Sequence, residues 1–319
     1  MSEDWFARRT HHWDELSLDE LLDRKRATGN TVSLVVPARD EAATIGPIVT
    51  RSRELLMDTA QLVDEVVVID SDSSDATFDV AADAGAVVHR CSDVRPDLGT
   101  VPGKGEAMWK AQFVTRGDVL VFMDADLVEW DTHFVPGLLG PLLTTPEVQL
   151  VKGFYERPML ASGGGGPYDG GRVTELVARP LIALDWPDLA GLVQPLAGEW
   201  AVRRDHFAQL AVPTGYAVEL AALIDTLERR GVDAIAQVDL GRRAHKHQTL
   251  HDLGAMAVQL LAAAQRRRTG GDGGGAGALD DVVALRQYSG AERGLRVHER
   301  TVRTGERPPA VAVPDEEVA

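Results

Sequence analysis

Cysteine is almost absent. Cys91 stands alone among 319 residues, so no disulfide can form within the chain. That fits a reducing compartment. Long apolar runs are missing too: none reaches the roughly 18 residues a membrane span needs. The opening stretch, MSEDWFARRTHHWDELSLDELLDRKRATG, is charged and lacks the apolar centre of a signal peptide. The expectation is a soluble, cytoplasmic protein that makes no use of a membrane. Positive charge is in short supply, with 33 Lys and Arg against 49 Asp and Glu, a formal net charge of −16. That balance argues against a nucleic-acid or anionic-membrane partner. A few clustered basic side chains still suffice for a small anionic ligand. No internal repeat is present.

What is present is an alternation of apolar strands and helices. At 44% hydrophobic composition the chain suffices for one large α/β domain, or a domain plus an extension. Residues 14–28 read as an amphipathic helix. Then come strand 31–38 (TVSLVVPA), helix 41–55, strand 64–70 (DEVVVID), helix 75–86, a short strand 86–89, helix 103–117 and strand 118–124 (DVLVFMD). Continuous apolar strands between helices predict a mostly parallel, Rossmann-like sheet covered on both faces. Farther on, 216–231 and 249–268 read as helices and 233–241 as a strand. The expected division is an N-terminal extension over 1–30, a first half over 31–160, a second half over 161–268, a glycine-rich linker over 269–281, and a C-terminal tail over 282–319. The last 25 or so residues, polar and Pro-containing, are expected to be partly disordered or to form an arm on a partner.

Parallel sheets bind ligands at the carboxyl ends of their strands. Here those ends are polar: Arg39-Asp40-Glu41, Asp70-Ser71-Asp72, and Asp124-Ala125-Asp126. The last set ends the apolar run VLVFMDADL. If the strand continues through it, Asp124 and Asp126 share a face about 7 Å apart. Two carboxylates so close need a cation or a hydrogen-bond network. Mg²⁺ takes one or two carboxylates and completes its shell with phosphates and water. A strand end whose Asp caps the next helix is the plainer alternative. Asp70 ends a buried strand and is suited to accept from a base N–H or a ribose hydroxyl; Ser74 or Asp75 reads as a helix N-cap. Lys104 lies between glycines at a helix start, in VPGKGEAMW, where backbone N–H groups favour a phosphate. That stretch is not a Walker A loop, since no Ser or Thr follows the lysine. His245, His247 and His251 have a loose zinc-like spacing, but a single histidine completing the Asp-x-Asp site is the better reading.

The segments VVPARDEAATI, DEVVVIDSDSSDAT, PGKGEAMW, FMDADL, GGRVTELVARPL, QPLAGEW, GYAVELAALIDT and DAIAQVDLGRRAHKH occur in that order over about residues 30–260. Together they resemble the glucosyl-3-phosphoglycerate synthases of actinobacteria, retaining glycosyltransferases of the GT-A fold. The resemblance implies transfer of glucose from a nucleotide diphosphate sugar, UDP-glucose, to the hydroxyl of 3-phosphoglycerate, with Mg²⁺ or Mn²⁺ as the metal, in a homodimer. It further implies that Pro37, Ala38, Arg39, Glu41, Asp70, Ser71, Lys104, Asp124 and Ala125 serve the donor. Asp124, Lys104 and Glu219 would act at the reacting centre. Asp126 and His245 would ligate the metal. Gly171, Arg172, Val173, Thr174, Arg243 and His247 would hold the acceptor. Two departures stand out: Ala125 where the family commonly has Ser, and His247 where relatives carry Asn. A mannosyl-3-phosphoglycerate synthase using GDP- or UDP-linked mannose is the nearest rival. Beyond it stand a nucleotidyltransferase, whose Gly-rich basic loop is missing after the first strand, and a non-catalytic nucleotide-sugar binder.

Overall fold

The computed structural model describes residues 3–128, 130–156, 171–242, 249–268, 280–290 and 294–314. In chain order the strands are β1 (Thr10–His12), β2 (Val32–Ala38), β3 (Glu65–Asp70), β4 (Val87–Arg90), β5 (Val119–Phe122), β6 (Leu150–Glu156), β7 (Trp200–Arg203), β8 (Val212–Pro213), β9 (Ile235–Arg242), β10 (Val282–Gly290), β11 (Leu295–Arg303) and β12 (Glu306–Arg307). Eight of them form the central sheet in the order β1-β9-β6-β7-β5-β2-β3-β4. Pairing is parallel except where β7 runs antiparallel between β6 and β5. This is the mostly parallel sheet that the apolar runs predict.

Two apolar cores lie on the two faces of the sheet. Val35, Leu120, Phe122, Leu150, Trp200 and Val202 point into one. Leu34, Val36, Val119, Val121, Val151 and Ala201 point into the other. Alternate residues thus serve opposite faces, and both are buried, which is why the strands read as unbroken apolar runs. Phe122, Trp200 and Phe207 pack with ring centroids 4.8, 5.7 and 5.6 Å apart. Each such pair is worth about 0.5–1.5 kcal/mol beyond its buried area. That fixes β7 against β5 directly below the polar edge.

Two expectations need correction. The run ending in Asp124 leaves the sheet at Phe122, so Asp124 and Asp126 sit in a following turn and strand alternation does not align them. The N-terminal extension is two helices, Glu3–Arg9 and Leu18–Thr28, with β1 between them as an edge strand of the sheet. The second helix starts at a capping box of Ser17 and Glu20 and stops at Gly29, whose φ of 70° a glycine accepts without strain. In the described part of the last 25 residues, β11 pairs with β10, and β12 with β8. The boundary at 160–161 and residues 269–279 of the linker lie outside the described residues. The helix Phe134–Thr144 and strands β6 and β7 have no counterpart in the sequence reading.

Candidate active site

Two loops at the carboxyl edge are laced together. Past β2, Asp40 adopts φ +54°, a left-handed conformation that Asp tolerates better than most residues. Its N–H donates to Ser73 Oγ at 2.9 Å, and its carboxylate accepts from Ser74 N–H at 2.7 Å and Ser74 Oγ at 3.0 Å. Glu41 N–H donates to Thr77 Oγ1 at 2.8 Å. So Ser74 ties loop to loop, and Asp75 accepts from Thr77 N–H at 2.9 Å just ahead of the helix Thr77–Asp83, whose N-cap is Ala76 rather than Ser74 or Asp75. Asp70 is fully buried, and its carboxylate accepts from Ser73 N–H and Arg90 Nη1 at 3.3 Å. That commitment makes Asp70 a builder of the loop. Arg39 and Asp40 are exposed, Pro37, Glu41 and Ser71 half-buried, and Ala38 buried, so this double loop forms one wall of the edge.

The Lys104 turn forms the floor. Gly103 has φ +153°, and a Cβ there would stand 2.1 Å from the Thr214 carbonyl oxygen; at Gly105 it would stand 1.8 Å from that of Pro213. The glycines are needed for this backbone contact. Gly105 N–H donates to the Gly215 carbonyl at 3.2 Å, and Glu106 N–H to that of Thr214 at 2.9 Å. These first helical amides are therefore already engaged, contrary to the expectation of a bare phosphate-binding helix start. The cation itself remains. Lys104 Nζ lies 2.6 Å from Asp124 Oδ1 and 2.7 Å from Glu219 Oε1. Burial pulls its pKa down, but Asp124 and Glu219 attract the ammonium more strongly, and the balance lies above the ordinary lysine value.

Between the wall and the floor sits the aspartate turn. Thr44 Oγ1 donates to the Ala125 carbonyl at 2.7 Å and contacts Glu41 Oε2 at 3.1 Å. The Ala125 side chain is buried while Asp124 and Asp126 on either side are half-exposed. Ala125 thus contributes its carbonyl as an anchor, and a Ser hydroxyl at that position is dispensable for the turn. Among the described residues no group of three or more His, Cys, Asp and Glu is arranged to hold a metal. A hard divalent ion delivered with a diphosphate does not need one: a single carboxylate, one more protein ligand and phosphate oxygens suffice. Asp126, on a turn anchored through Thr44, fits that role. β9 ends at Arg242 on the same edge. Arg243, His245 and His247 follow it and lie outside the described residues.

Tyr216, unremarked in the sequence, stands at the mouth of the cluster, 46% exposed. Burial raises its pKa, Lys104 opposes, and Asp124, Asp126 and Glu219 add to the rise, so its hydroxyl sits in the field of all four. Gly171 is half-buried and Arg172 exposed, whereas Val173 and Thr174 are buried at the head of a helical stretch that begins π-wound over Thr174–Ala178. Of those four residues only Arg172 offers a charged side chain to solvent. A groove of about 650 Å³ lined by Lys25, Arg26, Gln61 and Asp64 lies at the opposite, amino edge of the sheet, away from this chemistry.

Residues 33–159 match Glycosyl transferase family 2. A glucosyl-3-phosphoglycerate synthase from Mycolicibacterium paratuberculosis is 42% identical over 97% of this chain and 92% of its own. Among solved structures, mannosyl-3-phosphoglycerate synthase from Rubrobacter xylanophilus superposes with a TM-score of 0.87 at 38% identity, covering 98% of this chain and 99% of that one. Glucosyl-3-phosphoglycerate synthase from Mycobacterium tuberculosis, in complex with Mn²⁺, uridine-diphosphate-glucose and phosphoglyceric acid, superposes with a TM-score of 0.80 at 41% identity, covering 95% and 98%.

Proposed function

Because the chain belongs to the glucosyl-3-phosphoglycerate synthase family, we propose that it transfers glucose from UDP-glucose to the hydroxyl of 3-phosphoglycerate with retention of configuration. The observation that carries this reading is Lys104 held between Asp124 and Glu219 at the carboxyl edge of the sheet. Asp124 and Glu219 supply acceptors for ribose and sugar hydroxyls. Lys104 fixes their spacing and presents positive charge where a diphosphate leaves. Asp126 and His245 would hold a divalent cation, which when bound neutralises developing charge on the leaving oxygens. The bond from the anomeric carbon to the diphosphate breaks through an oxocarbenium-like centre. The acceptor hydroxyl bonds to that carbon from the same face, and its proton passes to the leaving diphosphate. Arg172 serves the acceptor phosphate as a fork of donors.

The wall built from Pro37, Ala38, Arg39, Glu41 and Ser71 takes the nucleoside. The likeness to the Rubrobacter enzyme keeps mannose as a second reading of the donor hexose. A homodimer is the proposed assembly, supported by the β10–β11 hairpin, which leaves Tyr288, Leu295 and Val297 more than half exposed. A cytoplasmic location accords with the lone buried cysteine, and among the described residues no helix is long and apolar enough to cross a membrane. The test is release of UDP from UDP-glucose with Mn²⁺. Release that depends on 3-phosphoglycerate supports the reading; release indifferent to the acceptor overturns it.

A further inference from the structure

Lys152 is a buried charge that the chemistry above leaves unused. It lies on β6 with 1% of its surface exposed, between the buried Val151 and Gly153. Taking an ammonium out of water costs several kcal/mol unless something compensates. Its Nζ donates to the Ala197 carbonyl and stands 5.6 Å from the centroid of the Trp200 ring. Charged groups surround it from each packed element: Glu219 on the helix Val218–Arg230, Lys104 on the helix Lys104–Val114, Glu199 before β7, and Asp124 after β5. Burial lowers its pKa to about 8 against the pull of those carboxylates.

The carbonyl that Lys152 engages belongs to the residue before Gly198. Gly198 abuts Asp124, and a Cβ there would lie 2.1 Å from Oδ2 and 2.4 Å from Cγ and Oδ1. The residue after Lys152 grips the same turn, since Gly153 N–H donates to the Glu199 carbonyl at 2.9 Å. The turn is therefore pinned by β6 on one side and lies against the Asp124 carboxylate on the other. Shifting it shifts the carboxylate that Lys104 contacts at 2.6 Å.

We propose that Lys152 is a positioning residue of the transfer site, its ammonium fixing the Ala197–Gly198 turn that sets where Asp124 meets Lys104 and the donor. This rests on the transferase reading. It makes Lys152 a donor-side residue, although it touches no substrate. It also supplies a second cation beneath Lys104 in a site that carries Asp124, Asp126, Glu199 and Glu219 and must admit an anionic diphosphate.

The test compares wild type with Lys152→Met, which keeps the apolar stem and removes the charge. A misplaced reacting group costs about 10²-fold in rate. The expected result is a fall of that order in kcat/KM for UDP-glucose, with KM for 3-phosphoglycerate held within about threefold. Wild-type kcat should also decline above about pH 8 as Lys152 loses its proton, and the variant should lack that limb. A merely structural role lowers Tm and leaves both the limb and the balance between substrates unchanged, and that outcome overturns the proposal. If Lys152→Met does not fold, Lys152→Gln takes its place: a donor-side loss of the same order without the alkaline limb supports the proposal, and wild-type kinetics with the limb retained overturn it. Should wild type form no product, the transferase reading has failed. UDP-glucose affinity by calorimetry then decides: weakening in the variant supports the positioning role, and unchanged affinity overturns it.

Discussion

Glu219 reaches across 115 residues of sequence to accept from Lys104 Nζ at 2.7 Å. The helix carrying Glu219 and the glycine-flanked turn carrying Lys104 are thereby locked at one spacing beside Asp124. Removing the lysine charge leaves Glu219, 4% exposed, without its cation. Lys104→Met should lower kcat/KM by about 10²- to 10³-fold, on the scale of losing one charge-stabilising donor. Steady-state kinetics with both substrates check this; unchanged kinetics would make Lys104 a purely structural cation.

Arg172 should govern the acceptor alone. Arg172→Ala should raise KM for 3-phosphoglycerate by roughly 10- to 150-fold, the equivalent of about 1.5–3 kcal/mol for a charge-assisted bond. Affinity for UDP-glucose should stay at the wild-type value. Titration of each substrate separates the two, and a defect confined to the donor would reassign this segment.

His206 should make stability depend on pH. Burial, reinforced by Arg230 and Arg229, pushes its pKa from 6.5 down to about 4. Thr226 Oγ1 donates to the Ala222 carbonyl, so it accepts from His206 Nε2–H at 2.8 Å, and the buried Nδ1 has no partner among the described residues. The unfolded chain takes up a proton near pH 6.5, whereas the folded chain resists until about 4. The stabilisation is therefore complete above about pH 6.5 and declines as pH falls to about 4, a loss of about 3 kcal/mol. Urea unfolding at pH 7 and 4.5 should show a smaller drop in His206→Gln than in wild type.

Arg307 braces the Lys104 turn from the C-terminal end. Its guanidinium forks onto Glu106, with contacts of 2.6 and 2.7 Å, donates to the Leu98 carbonyl at 2.9 Å, and lies 5.0 Å from the Trp109 ring centroid. Glu106 is fully buried. Arg307→Ala leaves that carboxylate to Lys110 Nζ at 3.9 Å and the Val101 N–H at 3.4 Å, and should destabilise the fold by about 3 kcal/mol, the low end for breaking a buried pair. Replacing Glu106 with Gln in the same chain should recover part of the loss. Equal unfolding midpoints for wild type and Arg307→Ala would show the pair to be inconsequential.

The strand ends and the Lys104 turn were legible because burial on both sheet faces leaves unbroken apolar runs that stop at polar residues. Glu219 was not legible from periodicity, since one acid on an amphipathic helix looks like a solvated one. It became visible only as part of the ordered set of motifs. Thr44, Tyr216 and Lys152 were missed because their roles depend on distant partners: Thr44 meets Ala125 across 81 residues, and Lys152 meets Ala197 across 45. β7 was missed because its four residues interrupt a parallel pattern, and a run that short carries no period of its own. The close backbone packing of Gly103 and Gly105 gives those glycines a purpose other than the expected open phosphate site.

The most direct measurement is product identification after donor competition. The chain is incubated with Mn²⁺, 3-phosphoglycerate and equimolar UDP-glucose, UDP-mannose, GDP-glucose and GDP-mannose. Nucleotide release is separated by chromatography, and the glycosylated product is examined by NMR for sugar identity and anomeric configuration. UDP is the expected dominant nucleotide released and α-configured glucosyl-3-phosphoglycerate the expected dominant product, abolished by EDTA and by Asp126→Ala. A mannosyl product, an inverted anomer, or undiminished turnover in EDTA would contradict this.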